Sequence, residues 1–151
     1  MNQTNFSIAE INISYNHRNS ANNPKVKSSN DSYLILKEFM DEGTLALQEQ
    51  FYAVYLNHGH KVIGVCCISK GGINFTTVDI RLVLGIGLKA GCSCIILAHN
   101  HPSGNLMPSE EDKRITDKIK TAALLMDIKV LDHIILTPDD SYFSFSDEGL
   151  L

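Results

Sequence analysis

His99 and His101 stand two residues apart at the end of the apolar run Ser93–Ala98, and Asp112 follows Ser109 in a stretch that opens a helix. Side chains two apart on a strand share a face, about 6.6 Å apart along the backbone. Two imidazoles so placed can converge on one ion, with zinc–nitrogen bonds of about 2.1 Å. Pro102 has no N–H for a ladder and should stop the strand. The loop to Pro108 then turns the chain back and brings Asp112 in from the first helical turn. Two histidines and a carboxylate leave a fourth tetrahedral position for water, which is how a catalytic zinc site is built. Zinc lowers the pKa of such a water to about 7. Asp112 also reads as the third residue of a capping box begun by Ser109, and Ser103-Gly104-Asn105 reads equally as turn chemistry. His58 and His60, elsewhere in the chain, read as surface hydrogen-bonding residues.

The elements that must hold these residues alternate along the chain. Residues 1–28 form an N-terminal arm rich in Asn and Ser, in which Ile11-Asn12-Ile13-Ser14-Tyr15 has the period of a short edge strand. A domain over residues 29–151 follows. Its first helix begins at Asp31-Ser32, buries Tyr33, Leu36 and Met40 with Ile35 and Phe39 beside them, and stops near Gly43. Phe51–Leu56 and Lys61–Ser69 read as strands joined in a hairpin at Asn57-His58-Gly59-His60. Asp79 caps a helix reaching about Lys89, with Gly91 just past its end. The Ser93–Ala98 strand, a helix from Pro108 burying Ile115, Ile119, Ala122 and Met126, a Val130–Leu136 strand and a returning Tyr142–Phe145 strand complete it. Hairpins exclude a purely parallel sheet, so the expected class is α/β, a mixed β-sheet flanked by helices.

Bulk properties narrow the function. A chain of 151 residues, 44% hydrophobic and 20% charged, is suited to one soluble domain. It has neither a bilayer-length apolar run nor a secretory signal, which implies a cytoplasmic protein with no membrane partner. Cys66-Cys67 and Cys92-x-Cys94 lack zinc-finger spacing and are expected as buried, reduced thiols. A formal net charge of −4, without a Lys/Arg cluster, opposes strong direct binding to nucleic acid.

His99-x-His101, a seven-residue interval, and Ser109-x-x-Asp112 match the JAMM motif of the MPN metalloprotease family. The longer string from His99 to Asn105, with Pro108-Ser109, Leu131-Asp132-His133-Ile134-Ile135 and Glu148-Gly149-Leu150-Leu151, resembles the RadC-like branch of that family. The resemblance implies an MPN fold of the cytidine-deaminase-like kind and one zinc ion, with His99, His101 and Asp112 on the ligand positions. It places Ser109 on the serine that helps stabilise the tetrahedral intermediate. An upstream glutamate in the family orients the water and shuttles its proton; Glu49, just before the Phe51 strand, fits, and Glu38 and Glu42 fit less well. Asn100 stands where many peptidase members have Ser or Thr, and its amide is expected to aid Ser109 at the oxyanion or to position substrate. Asp132 and His133 are expected to support the ligand histidines or the core beside them. Val78-Asp79-Ile80-Arg81 replaces the His-Pro-Arg-Glu element frequent in RadC-like proteins and retains only its arginine. The activity implied is hydrolysis of a peptide or isopeptide bond in a peptide or protein substrate. An accessory role in DNA repair or recombination, with a nucleic acid or nucleoprotein partner, is the second expectation.

Overall fold

The computed structural model describes residues 9–12, 21–72 and 77–151. Three helices, α1 (Ser29–Phe39), α2 (Ile80–Ala90) and α3 (Glu110–Leu124), pack on a sheet of β1 (Gln50–Leu56), β2 (Val62–Lys70), β3 (Cys94–Asn100), β4 (Lys129–Leu136) and β5 (Tyr142–Ser144). The strand order is β2-β1-β3-β4-β5. Only the β3–β4 pair is parallel; β1–β2, β1–β3 and β4–β5 are antiparallel. The fold is therefore the expected mixed α/β sheet.

Alternation along the strands sorts the core into two layers. Tyr52, Val54, Leu56, Ile96 and Ala98 face α1, where Tyr33, Leu36 and Met40 meet them. Phe51, Ala53, Tyr55, Ile95 and Leu97 face the other way, against Val83 and Leu84 of α2 and Ile119 and Ala123 of α3. Leu36, Ala53, Ile95, Leu97 and Ile119 have no exposed surface, so both layers are dry.

Each helix starts on a side-chain cap, as its sequence requires. Ser28 and Asp31 form a capping box on α1, Asp79 accepts from the Arg81 N–H at the start of α2, and Ser109 and Asp112 form a second box on α3. Gly91 closes α2 in the left-handed region, φ 66°.

Some expectations need correction. α1 ends at Phe39 rather than near Gly43, because Met40 turns to extended geometry and Asp41 caps a short 3₁₀ turn over Glu42–Thr44. Phe39 is exposed, as is Met126, which lies beyond the end of α3; Ala123 takes the buried place. Cys92 and Cys94 are buried thiols, but Cys66 is only partly covered and Cys67 is exposed, since β2 is a sheet edge. In the arm, Ile11 is exposed, and residues 13–15 of the expected edge strand lie outside the described residues. Lys25 instead bridges Lys61, with Val26 N–H donating to the His60 carbonyl at 3.0 Å. Among the described residues no helix is long and apolar enough to cross a membrane.

Candidate metal centre

β3 leaves the core at His99, and its alternation puts His99 and His101 on the α2/α3 side of the sheet, where α3 begins. Gly104, φ 79°, lets the chain fold back sharply after Pro102, and its N–H donates to the His101 carbonyl at 3.0 Å. This turn carries the Asn105 carbonyl onto His101 Nδ1 at 2.6 Å. A carbonyl can only accept, so His101 Nδ1 holds a proton and its Nε2 faces His99 and Asp112. The α3 capping box fixes Asp112. Ser109 N–H and Ser109 Oγ–H both donate to Asp112 Oδ2 at 2.7 Å, and the Asp112 N–H donates back to Ser109 Oγ at 3.1 Å. The cap thus leaves the same carboxylate facing the two imidazoles.

The three side chains converge. His99 Nε2 lies 3.0 Å from His101 Nε2 and 3.2 Å from Asp112 Oδ1, and His101 Nε2 lies 3.5 Å from Asp112 Oδ2. Tetrahedral zinc with bonds of about 2.0–2.1 Å sets neighbouring ligand atoms about 3.4 Å apart. The residues therefore fit such an ion. Glu49 belongs to the same cluster: one oxygen of its carboxylate and one nitrogen each of His99 and His101 lie within 4.8 Å of one another, a group that could hold a metal ion.

Electrostatics follow from burial and contact. Burial pushes His99 below the ordinary imidazole value, against the opposing pull of Asp112. His101 feels burial too, but Asp112, the Asn105 carbonyl and Glu49 outweigh it and raise it. Burial alone would raise Asp112; its bonds with His101, His99 and Ser109 hold it far below the usual carboxylate range. An ionised carboxylate thus faces the two imidazoles. The cluster opens onto a cleft of about 960 Å³, whose walls include Glu49, Phe51, Val78, Met107, Arg114 and Lys118.

Glu49 reaches the cluster through the sheet. Phe51 pairs with His99 in the β1–β3 ladder, and Glu49 precedes Phe51 by two, on the same face. Its N–H donates to the Gly72 carbonyl and its carbonyl accepts from the Gly71 N–H, so the backbone there is fixed. Glu49 is buried, retaining 8% of its residue surface. No comparable placement supports Glu38 or Glu42, which sit on α1 and the 3₁₀ turn.

Asn100 does not hold the oxyanion or substrate-positioning place expected of it. Standing between two histidines that face the cleft, it points to the opposite side of the sheet and has no exposed surface. Its Oδ1 accepts from the Gln50 N–H at 2.7 Å, and its Nδ2 donates to the carbonyls of Leu45 and Gln48 at 2.8 and 3.0 Å. It clamps the segment that presents Glu49. The Ser109 hydroxyl proton is directed at Asp112, so in this arrangement it supports the carboxylate rather than standing free for an oxyanion.

Asp132 and His133 part company. Asp132 accepts from Ser144 Oγ, from the Ser146 N–H and from the His133 N–H, tying β4 to the β5 corner. Burial raises its pKa. His133, fully buried, sits with Nε2 2.8 Å from His99 Nδ1. Burial pushes it well below the ordinary imidazole value. A register shift between Ile95/Ile96 and Val130/Asp132 leaves Leu131 as an extra residue in β4. That bulge turns His133 toward His99, a re-aiming that a period-two reading of the sequence misses. Thr116 was also missed: its hydroxyl lies 2.6 Å from His133 Nδ1 and donates to the Asp112 carbonyl at 2.5 Å. Its position one helical turn after Asp112 was the available signal.

A five-stranded mixed sheet with three helices, carrying a histidine–carboxylate cluster where β3 meets α3, is the architecture of a JAB/MPN domain. Residues 26–150 match the RadC-like JAB domain, and the chain belongs to that family. It is 48% identical over 126 residues to a UPF0758 protein of Flavobacterium johnsoniae, covering 83% of this chain and 53% of that one. A UPF0758 protein of Porphyromonas gingivalis is 39% identical over 128 residues, with 85% and 56% covered. The chain spans about half the length of these curated relatives.

Proposed function

We propose that this domain is a zinc-dependent hydrolase that cleaves an amide bond, peptide or isopeptide, in a peptide or protein substrate. The observation that carries the reading is the triangle of His99 Nε2, His101 Nε2 and the Asp112 carboxylate, with edges of 3.0–3.5 Å, closed on one side by protein and open on the other to the cleft. Zinc, when bound, supplies a water of lowered pKa and a Lewis acid for a carbonyl. His99, His101 and Asp112 would hold it. Glu49, with a carboxylate oxygen within 4.8 Å of a ring nitrogen of each imidazole, would take the proton of the attacking water and return it to the leaving amine. Ser109 keeps the Asp112 carboxylate turned toward the imidazoles through two hydrogen bonds at 2.7 Å. Phe51, Val78 and Met107 give the cleft apolar wall against which substrate side chains can pack, while Arg114 and Lys118 line it from α3.

The test pairs metal content with substrate profiling. Protein purified without chelator should hold one zinc per chain by elemental analysis, and His101→Ala should lose it. The loaded protein should cleave members of a peptide or isopeptide library and lose that activity on chelation. Retention of tightly held zinc by His101→Ala would overturn the ligand assignment. Cleavage confined to nucleic acid would replace the amide-bond reading with a role in DNA metabolism.

A further inference from the structure

His99 is useful to a metal only in one of its two neutral tautomers, with the proton on Nδ1 and the lone pair on Nε2. We infer that Thr116 and His133 are positioning residues that hold His99 in that tautomer, through a buried hydrogen-bond relay ending on the backbone of Asp112. The inference deepens the zinc reading and rests on it.

The direction of each bond can be worked out from one end. Thr116 Oγ1 lies 2.5 Å from the Asp112 carbonyl oxygen, which can only accept, so the hydroxyl proton points there. The hydroxyl oxygen, 2.6 Å from His133 Nδ1, is then left as an acceptor, and His133 Nδ1 carries a proton. Neutral His133 therefore presents a lone pair at Nε2, which lies 2.8 Å from His99 Nδ1. His99 must donate from Nδ1, and its Nε2 lone pair faces His101 and Asp112 at 3.0 and 3.2 Å. Reversing the relay would set the Thr116 oxygen against the Asp112 oxygen with no proton between them. A ligating imidazole commonly hands its second N–H to an oriented acceptor in this way.

The surroundings keep the relay in place. His133 has no exposed surface and Thr116 keeps 3% of its own. The His133 ring stacks on Phe145, centroids 4.8 Å apart, and meets the Phe51 edge at 5.6 Å. The Leu131 bulge supplies the orientation from β4. Two candidate ligands on different elements, His99 of β3 and Asp112 of α3, are thereby cross-linked through β4.

The test uses the full chain and two variants. Thr116→Val keeps the shape and removes the hydroxyl; Thr116→Ser keeps the hydroxyl. Zinc affinity is read by equilibrium competition with a chromogenic chelator, and ring protonation of His133 by ¹⁵N NMR of the unsubstituted protein. Thr116→Val should bind zinc roughly 10- to 100-fold more weakly, the range for loss of an outer partner of a ligand. Thr116→Ser should restore most of the affinity, and His133 should carry its proton on Nδ1. Unchanged affinity in Thr116→Val, equal losses in both variants, or a proton on His133 Nε2 would each overturn the relay. Should the unsubstituted protein take up no zinc, the zinc reading falls while the NMR result still decides the relay; it decides likewise if Thr116→Val fails to fold.

Discussion

Asn100→Asp is an almost isosteric change whose effect can be worked from the contacts. The side chain is fully buried, so no cavity opens and no water can compensate. The acceptor for the Gln50 N–H survives, but the amide donor facing the carbonyls of Leu45 and Gln48 is replaced by an acceptor. Two donated bonds are lost, each worth about 1 kcal/mol net, and the carbonyls left facing an acceptor cost about 1–3 kcal/mol each. The sum is at least about 4 kcal/mol, and that minimum lowers Tm by roughly 8–16 °C for a domain of this size. The introduced carboxyl recovers one donated bond if it stays protonated, so burial raises its folded pKa above the unfolded value of about 3.9. For a raised pKa the stabilising form is fully present below the unfolded value and lost as pH rises. The Tm gap between variant and unsubstituted protein should therefore widen from pH 5 to pH 8. Circular dichroism melts at both pH values measure it. A gap under about 2 °C at pH 8, or one that does not change with pH, would refute the clamp. Metal content should survive the change, since Asn100 contacts neither imidazole, while turnover should fall as the Leu45–Gln50 segment loosens around Glu49.

Glu49→Gln should keep fold and metal yet lose hydrolysis by about 10²-fold or more, the usual worth of a general base; parallel zinc analysis and kinetics check it, and an active variant removes Glu49 from the reaction. Alkylation followed by mass spectrometry should modify exposed Cys67 first and buried Cys92 last, because burial pushes the Cys92 thiol up to about 11. The neutral buried thiol contributes stability fully below about pH 9, its ordinary value, and that contribution is lost as pH climbs through about 11. Equal labelling rates for the two thiols would contradict this burial.

What the sequence discloses here is mostly local. The caps of α2 and α3 depend on neighbours within a turn, so Asp79, Gly91 and the Ser109–Asp112 box are legible from spacing alone. His99 and His101 are legible for the same reason, strand alternation being a property of consecutive residues. That alternation also told against Asn100 as a cleft residue, since one residue between two cleft-facing histidines must face away; its capacity to donate a hydrogen bond was outweighed by where it points. His133 was harder, because a single inserted residue in β4 reverses the parity beyond it and only the β3–β4 register reveals the insertion. Glu49 could be assigned only through the family resemblance, since nothing local links it to His99.

Glu49 shows how register becomes chemistry in this fold. Phe51 opposite His99 is one rung of an unbroken β1–β3 ladder running from Leu56 opposite Cys94. Because side chains alternate, a slip of one residue would turn the whole α2/α3 face of β1 over, sending Glu49 toward α1 and Gln50 into the cleft. The hydrophobic layers resist such a slip along the strand, with Ala53 and Tyr55 fitted against one side and Val54 and Leu56 against the other. At the mouth, where Glu49 lies beyond the last apolar pair, that guard ends. The Asn100 side chain takes over there, binding the Gln50 N–H and the two carbonyls before it. The residue between the histidines therefore acts on the site from behind the sheet, holding the carboxylate in register with the imidazoles beside it.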